Sequence, residues 1–340
     1  MELIKHLYFR MPILIRLLLT VLITMIIFGL LIHLIEPEQF PSFFEGIWWA
    51  FVTGGTVGYG DYAPTTNAGR WLGILLILTG AGLLTYFITV FAATTVKHEQ
   101  QLSKGIVRYK GKHHVIFIGW NERTRNLMQL MTKNNPHIDM VLIDASLQEL
   151  SYIDFPIHFI HGDATDDLIL QKANVETATV VVATANMTKS EKEADRATIL
   201  YTVAVRGNNA QIPIIVEILS TKQTDNAKRA GATTILRPND FMSGLLYHEL
   251  FRQHHETPFE NILHLLYNQA FVHFPIPGEL AEENFMAICQ HFLSQHILII
   301  GYIENEKYYM NPPPSKKISD ESTLIGMLSW KEKSHFFSSG

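Results

Sequence analysis

The sequence predicts a multidomain chain: an all-α membrane region of two spanning helices with a shorter re-entrant helix between them, then an α/β doubly wound domain, then a small α+β lobe. Three observations predict this. Of the 27 basic and 32 acidic side chains in 340 residues, only nine fall in residues 1–96, so a mean hydropathy of +0.11 averages a lipid-compatible first third with an ordinary water-exposed remainder. Two long uncharged apolar runs bracket a third that is too short to cross a bilayer. Beyond residue 112, short β-rich apolar runs alternate with helical stretches, the pattern of a parallel sheet.

The first span centres on Leu17–Ile32, LLLTVLITMIIFGLLI, and reaches bilayer length with Ile13–Ile15 and His33–Ile35; the second is Trp71–Val96. Both are expected to be helices, because lipid offers no partner to an open backbone. The first run is too long for a signal peptide, and no small-residue cleavage site follows it before Glu36 and Pro37. Lys5, Arg10 and Arg16 precede the first span and Lys97, Lys104, Arg108, Lys110 and Lys112 follow the second, whereas the connection holds only Arg70. The positive-inside rule therefore predicts a multi-pass protein of the cell membrane with both termini cytoplasmic and residues 36–70 outside. A net charge of −5 gives no case for nucleic acid, and the single Cys289 excludes an intrachain disulfide and a cysteine-based zinc site.

Between the spans, FFEGIWWAFVT at Phe43–Thr53 leads into GGTVGYGDY. Such a segment must dip into the membrane and return, and irregular backbone at that depth is tolerated only where protein or a water-filled path covers it, so the segment is expected to line a pore. Thr56-Val57-Gly58-Tyr59-Gly60 resembles the selectivity filter of potassium channels, and its place between two spans matches that family. A dehydrating K+ needs rings of closely spaced inward oxygens, which backbone carbonyls supply when Gly58 and Gly60 take positive φ. The resemblance implies K+ at the Thr56–Gly60 carbonyls, a Thr56 hydroxyl at the inner end, and support from Trp48, Trp49 and Asp61, with Tyr59 packed on the two tryptophans. One chain supplies a quarter of the ring, so a homotetramer in the bilayer is expected. Gly54-Gly55 replaces the threonine that many filters carry before the one at position 56, which predicts a loop prone to collapse. Gly80 and Gly82 in the second span are either a gating hinge or close-packing positions. No arginine-rich span is present, so steep voltage sensing is not expected.

In the remainder, His113–Trp120, Asp139–Ile143, Ile157–Ile160, Thr179–Ala183, Ile214–Glu217 and Thr233–Leu236 read as strands. Asp144 stands at the end of the second, where a ribose-binding acid belongs in a dinucleotide fold. The phosphate loop, Gly119-Trp120-Asn121-Glu122-Arg123-Thr124, keeps only the first glycine of G-x-G-x-x-G, so dinucleotide binding through it is not expected. With a filter upstream, this Rossmann-like domain resembles the RCK domain, the regulator of potassium conductance. The resemblance is carried by GWNERT, HGDAT at His161–Thr165, KRAGAT at Lys228–Thr233, and the segment Met310–Met327. It implies a helix–turn–helix clasp over 241–268, pairing into RCK dimers, and a gating ring of eight. Four chains supply four domains, so extra soluble RCK copies are expected, although no methionine lies between Met25 and Met128 to start them.

The candidate ligand-binding residues are Gly119, Asn121, Asp144, Asp163 and Glu217; the ligand itself, a nucleotide or a cation, is unspecified. The positions matching the calcium ligands of relatives are Ala183, Glu217 and Leu219, and one carboxylate in three is a poor calcium site. Fourteen of 16 histidines lie in residues 97–340, and His248, His254 and His255 near the clasp are the candidate pH sensors. The expected division is 1–96 pore, 97–112 linker, 113–240 RCK N-lobe, 241–268 dimerisation element and 269–340 C-terminal lobe. No catalytic constellation is evident and no enzyme activity is expected. The alternative, a membrane-anchored nucleotide-binding regulator of K+ transport, leaves residues 43–62 without a use.

Overall fold

The computed structural model describes residues 11–151, 155–251, 258–330 and 332–333. Helix α1, Ile13–Ile35, buries one stripe, Val21, Met25, Gly29 and Ile32, and leaves Ile23, Ile27, Leu30 and Leu34 exposed, as expected of a helix with protein on one side and lipid on the rest. Helix α2, Phe43–Gly54, crosses it where Gly29 meets Gly46; a Cβ at Gly29 would lie 2.6 Å from the Ile47 Cα, so only glycine permits this approach. After the loop 55–66, Thr66 caps helix α3, Asn67–Leu76, accepting from the Gly69 N–H at 3.1 Å. A π-helical segment, Ile77–Ala81, joins α3 to α4, Gly82–Ser103, so the second span is helical from residue 67 to 103.

The α/β domain carries six parallel strands in the order β3-β2-β1-β4-β5-β6: β1 Val115–Ile118, β2 Met140–Asp144, β3 His158–His161, β4 Val180–Ala183, β5 Ile214–Glu217 and β6 Thr234–Leu236. Val115 pairs with Met140 on one side and Val180 on the other, which puts the switch in strand order beside β1. Helices α5 (Glu122–Asn134), α6 (Asp167–Lys172), α7 (Glu191–Asn208) and α8 (Thr224–Arg229) connect the strands. Ile116, Ile118, Val141, Ile143 and Ile160 face one core, and Val115, Phe117, Leu142 and Phe159 face the other, the two-sided burial that makes these strands continuously apolar.

A second compact unit begins at Pro238. Its first helix, α9, is Pro238–Leu250, starting earlier than the sequence pattern indicates because proline pre-sets the first helical turn. Helix α10 is Pro258–Asn268. The terminal lobe is a four-stranded antiparallel sheet, β7-β10-β8-β9, formed by Gln269–Pro275, Thr323–Ser329, Leu298–Glu304 and Lys307–Met310, with α11, Phe285–Leu293, on one face.

Candidate pore and regulatory crevice

The loop after α2 is built from the helix end outward. The Gly55 N–H bonds to the Phe51 carbonyl, and those of Val57 and Gly58 both bond to Val52 (2.9 and 3.2 Å), satisfying the orphan carbonyls of the helix C-terminus. From there φ is positive at alternate residues, +60° at Thr56, +64° at Gly58 and +76° at Gly60. Regular extended chain points successive carbonyls to opposite sides, and a φ of alternating sign brings them to the same side. A β-branched residue at positive φ is rare, so Thr56 is strained while the glycines are not. Among the described residues no hydrogen bond reaches the carbonyls of Thr56, Val57, Gly58, Tyr59 or Gly60, and a Cβ at either glycine meets nothing within 4 Å.

The outer side of the loop is braced. Trp48 Nε1–H donates to Asp61 Oδ2 at 2.7 Å, and the Trp48 and Tyr59 rings stack 6.1 Å apart at 9°. Within one chain Trp49 turns away from Tyr59: it is buried edge-on against Phe40 at 5.5 Å, as part of the core between the helices. Farther along, the buried Glu36 carboxylate at the end of α1 accepts from the backbone N–H of Thr65 (2.9 Å) and Thr66 (3.0 Å) and from both hydroxyls (3.2 and 2.6 Å). Glu36 thereby ties the first span to the start of the second. Sequence reasoning missed it; an acid closing an apolar run before a Thr-Thr cap is the only local signal.

The glycines sort by environment. A Cβ at Gly54 would lie 2.5 Å from Met25 Cε, and one at Gly80 3.2 Å from the Gly54 Cα, so these two let α1, α2 and the second span approach. Gly80 is buried within the π segment, whereas Gly82 has open space around it. Gly55 has an ordinary φ of −78°, but a Cβ there would lie 2.7 Å from the Phe51 oxygen. The glycine pair is thus explained by packing at the helix end.

In the α/β domain, a crevice of about 240 Å³ opens above β1 and β2, lined by Gly119, Asn121, Asp144 and Asp163 together with Lys189 and Tyr201. Gly119 has φ +96°, the turn its position requires. Asn121 caps α5 through Oδ1, accepting from the Thr124 N–H at 3.0 Å, while its amide donates to Thr184 Oγ1 and the Ala185 carbonyl. Thr124 donates to the Gly119 carbonyl at 2.8 Å. Side chains at 121 and 124 therefore close the loop upon itself where a dinucleotide fingerprint has bare glycine. Asp144 is largely occupied as well: Oδ1 accepts from Ser146 N–H, Ser146 Oγ–H and Leu147 N–H, and Oδ2 from Trp120 N–H at 2.7 Å. Burial, with Asp163 and Asp144 nearby, pushes the Tyr201 phenol up. A second hollow, lined by Thr165, Glu193 and Arg196, shares Asp163, Lys189 and Tyr201 with the crevice.

Glu217 lies outside this crevice. Its Oε1 pairs with Arg123 Nε at 3.2 Å and its Oε2 accepts from the Ala185 N–H at 2.9 Å. The buried Asp195 is likewise taken, by the Leu219 and Ser220 N–H groups. Among the described residues no group of three metal-ligating side chains occurs. His248 is exposed on α9 against Tyr247; His254 and His255 lie outside the described residues.

The fold and site define a class: a two-span ion-channel pore followed by a Rossmann-like regulatory domain. Residues 20–97 match the ion channel family and residues 115–238 the TrkA-N domain family. The chain is 37% identical to YugO of Bacillus subtilis (strain 168), a protein named as a candidate potassium channel, over 94% of this chain and 97% of YugO. It is 28% identical to the calcium-gated potassium channel TvoK of Thermoplasma volcanium over 62% of this chain and 61% of TvoK. Among solved structures, the GsuK channel bound to NAD shares the fold with a TM-score of 0.51 at 17% identity, covering 92% of this chain and 57% of that one. The chain belongs to the potassium channels that carry an RCK domain behind a two-span pore.

Proposed function

We propose that four copies of this chain form a K+-selective pore in the cell membrane, with both termini cytoplasmic and conduction controlled by a ring of RCK domains. The observation that carries it is positive φ at alternate residues, Thr56, Gly58 and Gly60, a pattern suited to carbonyls sharing one side, together with the lack of any hydrogen bond to the Thr56–Gly60 carbonyls among the described residues. These five residues are exposed in the single chain, and backbone oxygens need partners once a surrounding assembly shuts them away from bulk water. A dehydrated K+ and three neighbouring copies supply them, and the Trp48–Asp61 bond holds the loop's diameter. The wide-open Gly82 next to the π segment suits a bend in the inner helix, since π turns mark points where helices yield. Barium-sensitive 86Rb+ uptake into liposomes tests this reading: the purified chain is expected to support it with Na+ excluded, and Gly58→Ala, forced into positive φ with a side chain, to abolish it.

The regulatory ligand in this proposal enters the crevice beside β1. Asp144 Oδ2 holds one donor and accepts another, such as a sugar hydroxyl, while Lys189 and Arg196 offer positive charge toward the adjoining hollow. That polarity suits a nucleoside phosphate lying away from the closed Gly119–Thr124 loop, and GsuK, with the same fold, is a protein bound to NAD. Domain limits near 96, 112, 240 and 268, pairing through α9 and α10, and completion of the ring by soluble copies are parts of the same proposal. So is pH sensing through His248 and its neighbours.

A further inference from the structure

The connection between the inner helix and the RCK domain, residues 104–112, is bonded along most of its length. α4 ends in a Schellman arrangement, with Gly105 at φ +65° donating to the Leu102 carbonyl and Ile106 to Gln101. At that point the chain is already docked. The Leu150 N–H donates to the last-turn carbonyl of Ser103 (2.8 Å), and the His161 N–H, at the end of β3, donates to Gly105 (3.1 Å). A Cβ at Gly105 would overlap the His161 nitrogen, so the contact admits only glycine. Beyond it, odd residues turn inward and even ones outward: Gly105 is buried, Val107 and Tyr109 half-buried, Ile106, Arg108 and Lys110 exposed. His158 Nε2–H donates to Val107 (2.7 Å), the Tyr109 N–H to Lys172 (2.9 Å) and the Asn174 amide to Gly111 (2.7 Å). The Tyr109 ring packs between His114 and His158, 4.5 and 5.3 Å away, and its hydroxyl donates to Asp139 at 2.8 Å.

We propose that Ser103–Tyr109 is a rigid strut that fastens the inner helix to the β3 edge of the RCK domain, with Gly105 as its fixing point, and that no slack tether exists between gate and regulator. This rests on the channel reading above. A flexible linker dissipates displacement in its own conformations, because each added residue widens the range of end-to-end distances. A bonded strut passes movement of β3 directly to the helix end. The compliant point then lies inside the membrane helix, at Ile77–Gly82, and Tyr109 and His158 are positioning residues for gating.

The test places the same Gly-Ser-Gly insertion at two sites in the full-length channel in planar bilayers: between Lys104 and Gly105, upstream of the dock, and between Gly111 and Lys112, downstream of it. A strut predicts that the upstream insertion shifts basal open probability at least about fivefold while the downstream one leaves it within about twofold. Equal shifts from both insertions, as a spring requires, overturn the proposal; so does no shift from either. Hydrogen exchange on the wild-type chain in lipid nanodiscs provides a readout independent of folding of the variants. The Leu150 and His161 amides, whose acceptors are the strut carbonyls, are expected to be protected at least about a hundredfold, together with Tyr109 and His113. Unprotected exchange at Leu150 and His161 overturns the strut. Absence of any wild-type current counts against the channel reading and leaves the exchange result standing.

Discussion

Two glycine-bearing loops at helix ends, Gly55–Gly60 after α2 and Gly119–Thr124 before and into α5, handle their polar groups in opposite ways. At the end of α2 the carbonyls between Thr56 and Gly60 accept no hydrogen bond among the described residues, and the loop is braced from outside by Trp48 and Asp61, with Glu36 fixing the chain farther on at Thr65 and Thr66. At the start of α5 the loop Gly119–Thr124 is closed by its own side chains, with Asn121, Thr124 and Asp144 taking up its polar groups. A loop that leaves main-chain groups unclaimed is ready for a ligand at those groups. A loop that satisfies itself is architecture, and any ligand there must be held by neighbouring side chains. The filter-like string leaves its main-chain carbonyls open among the described residues, and the fingerprint-like segment is closed by its own side chains.

The largest expected effect tests the external bracing. Glu36→Ala leaves the Thr65 and Thr66 N–H groups without an acceptor and is expected to cost about 2–3 kcal/mol, read as a lower midpoint for thermal dissociation of the assembled protein, whereas Glu36→Gln recovers part of the loss. An unchanged midpoint for the alanine variant would break the comparison. Trp48→Phe keeps the ring stacked on Tyr59 but removes the donor to Asp61. A loss of about 1–1.5 kcal/mol in the conducting state follows, seen as roughly tenfold faster decay of current at constant stimulus with selectivity intact before decay.

The self-closed loop gives smaller numbers. Asn121→Ala removes a cap and two bonds to Thr184 and Ala185, just beyond β4, and is expected to lower RCK-domain stability by about 1 kcal/mol in urea unfolding without altering K+ over Na+ permeation. A change in permeation would mean that the two loops are not independent. The smallest effect is pH-dependent. Burial holds the His114 imidazole below its ordinary value of 6.5; Nε2–H donates to Ala173, and a proton added at the buried Nδ1 would find no acceptor. Above pH 6.5 folded and unfolded forms are both neutral there. Below it the unfolded chain takes up a proton that the folded one refuses, so stability falls as pH drops. His114→Leu is expected to flatten that slope by about 0.5–1 kcal/mol between pH 7 and 5.5.

Much of this was legible in the sequence because it is written in local patterns. The two spans, the re-entrant helix, the strand sequence and the filter string each need only a few residues of context, and the strand limits at Ile214–Glu217 coincide with those read from the sequence. Trp48 and Asp61 were named from the sequence and lie hydrogen-bonded to each other beside Tyr59, but that Trp49 belongs to a different core depends on which way one helix face turns. Glu217 was singled out for its charge, and its capture by Arg123, on a distant helix, could not be read from spacing.

The sequence by itself determined the spans, the short helix between them, the main strands and the filter-like string at Thr56–Gly60, because hydrophobic period, charge distribution and glycine placement act over a turn or two of chain. Only the tertiary structure decided which polar groups are already taken. Glu36 finds Thr65 and Thr66 across 29 and 30 residues, Asn121 finds Thr184 across 63, and His158 reaches Val107 across 51. Such partners are selected by the cost of leaving a buried donor or acceptor unmet, and that cost is defined only once the chain has closed around them.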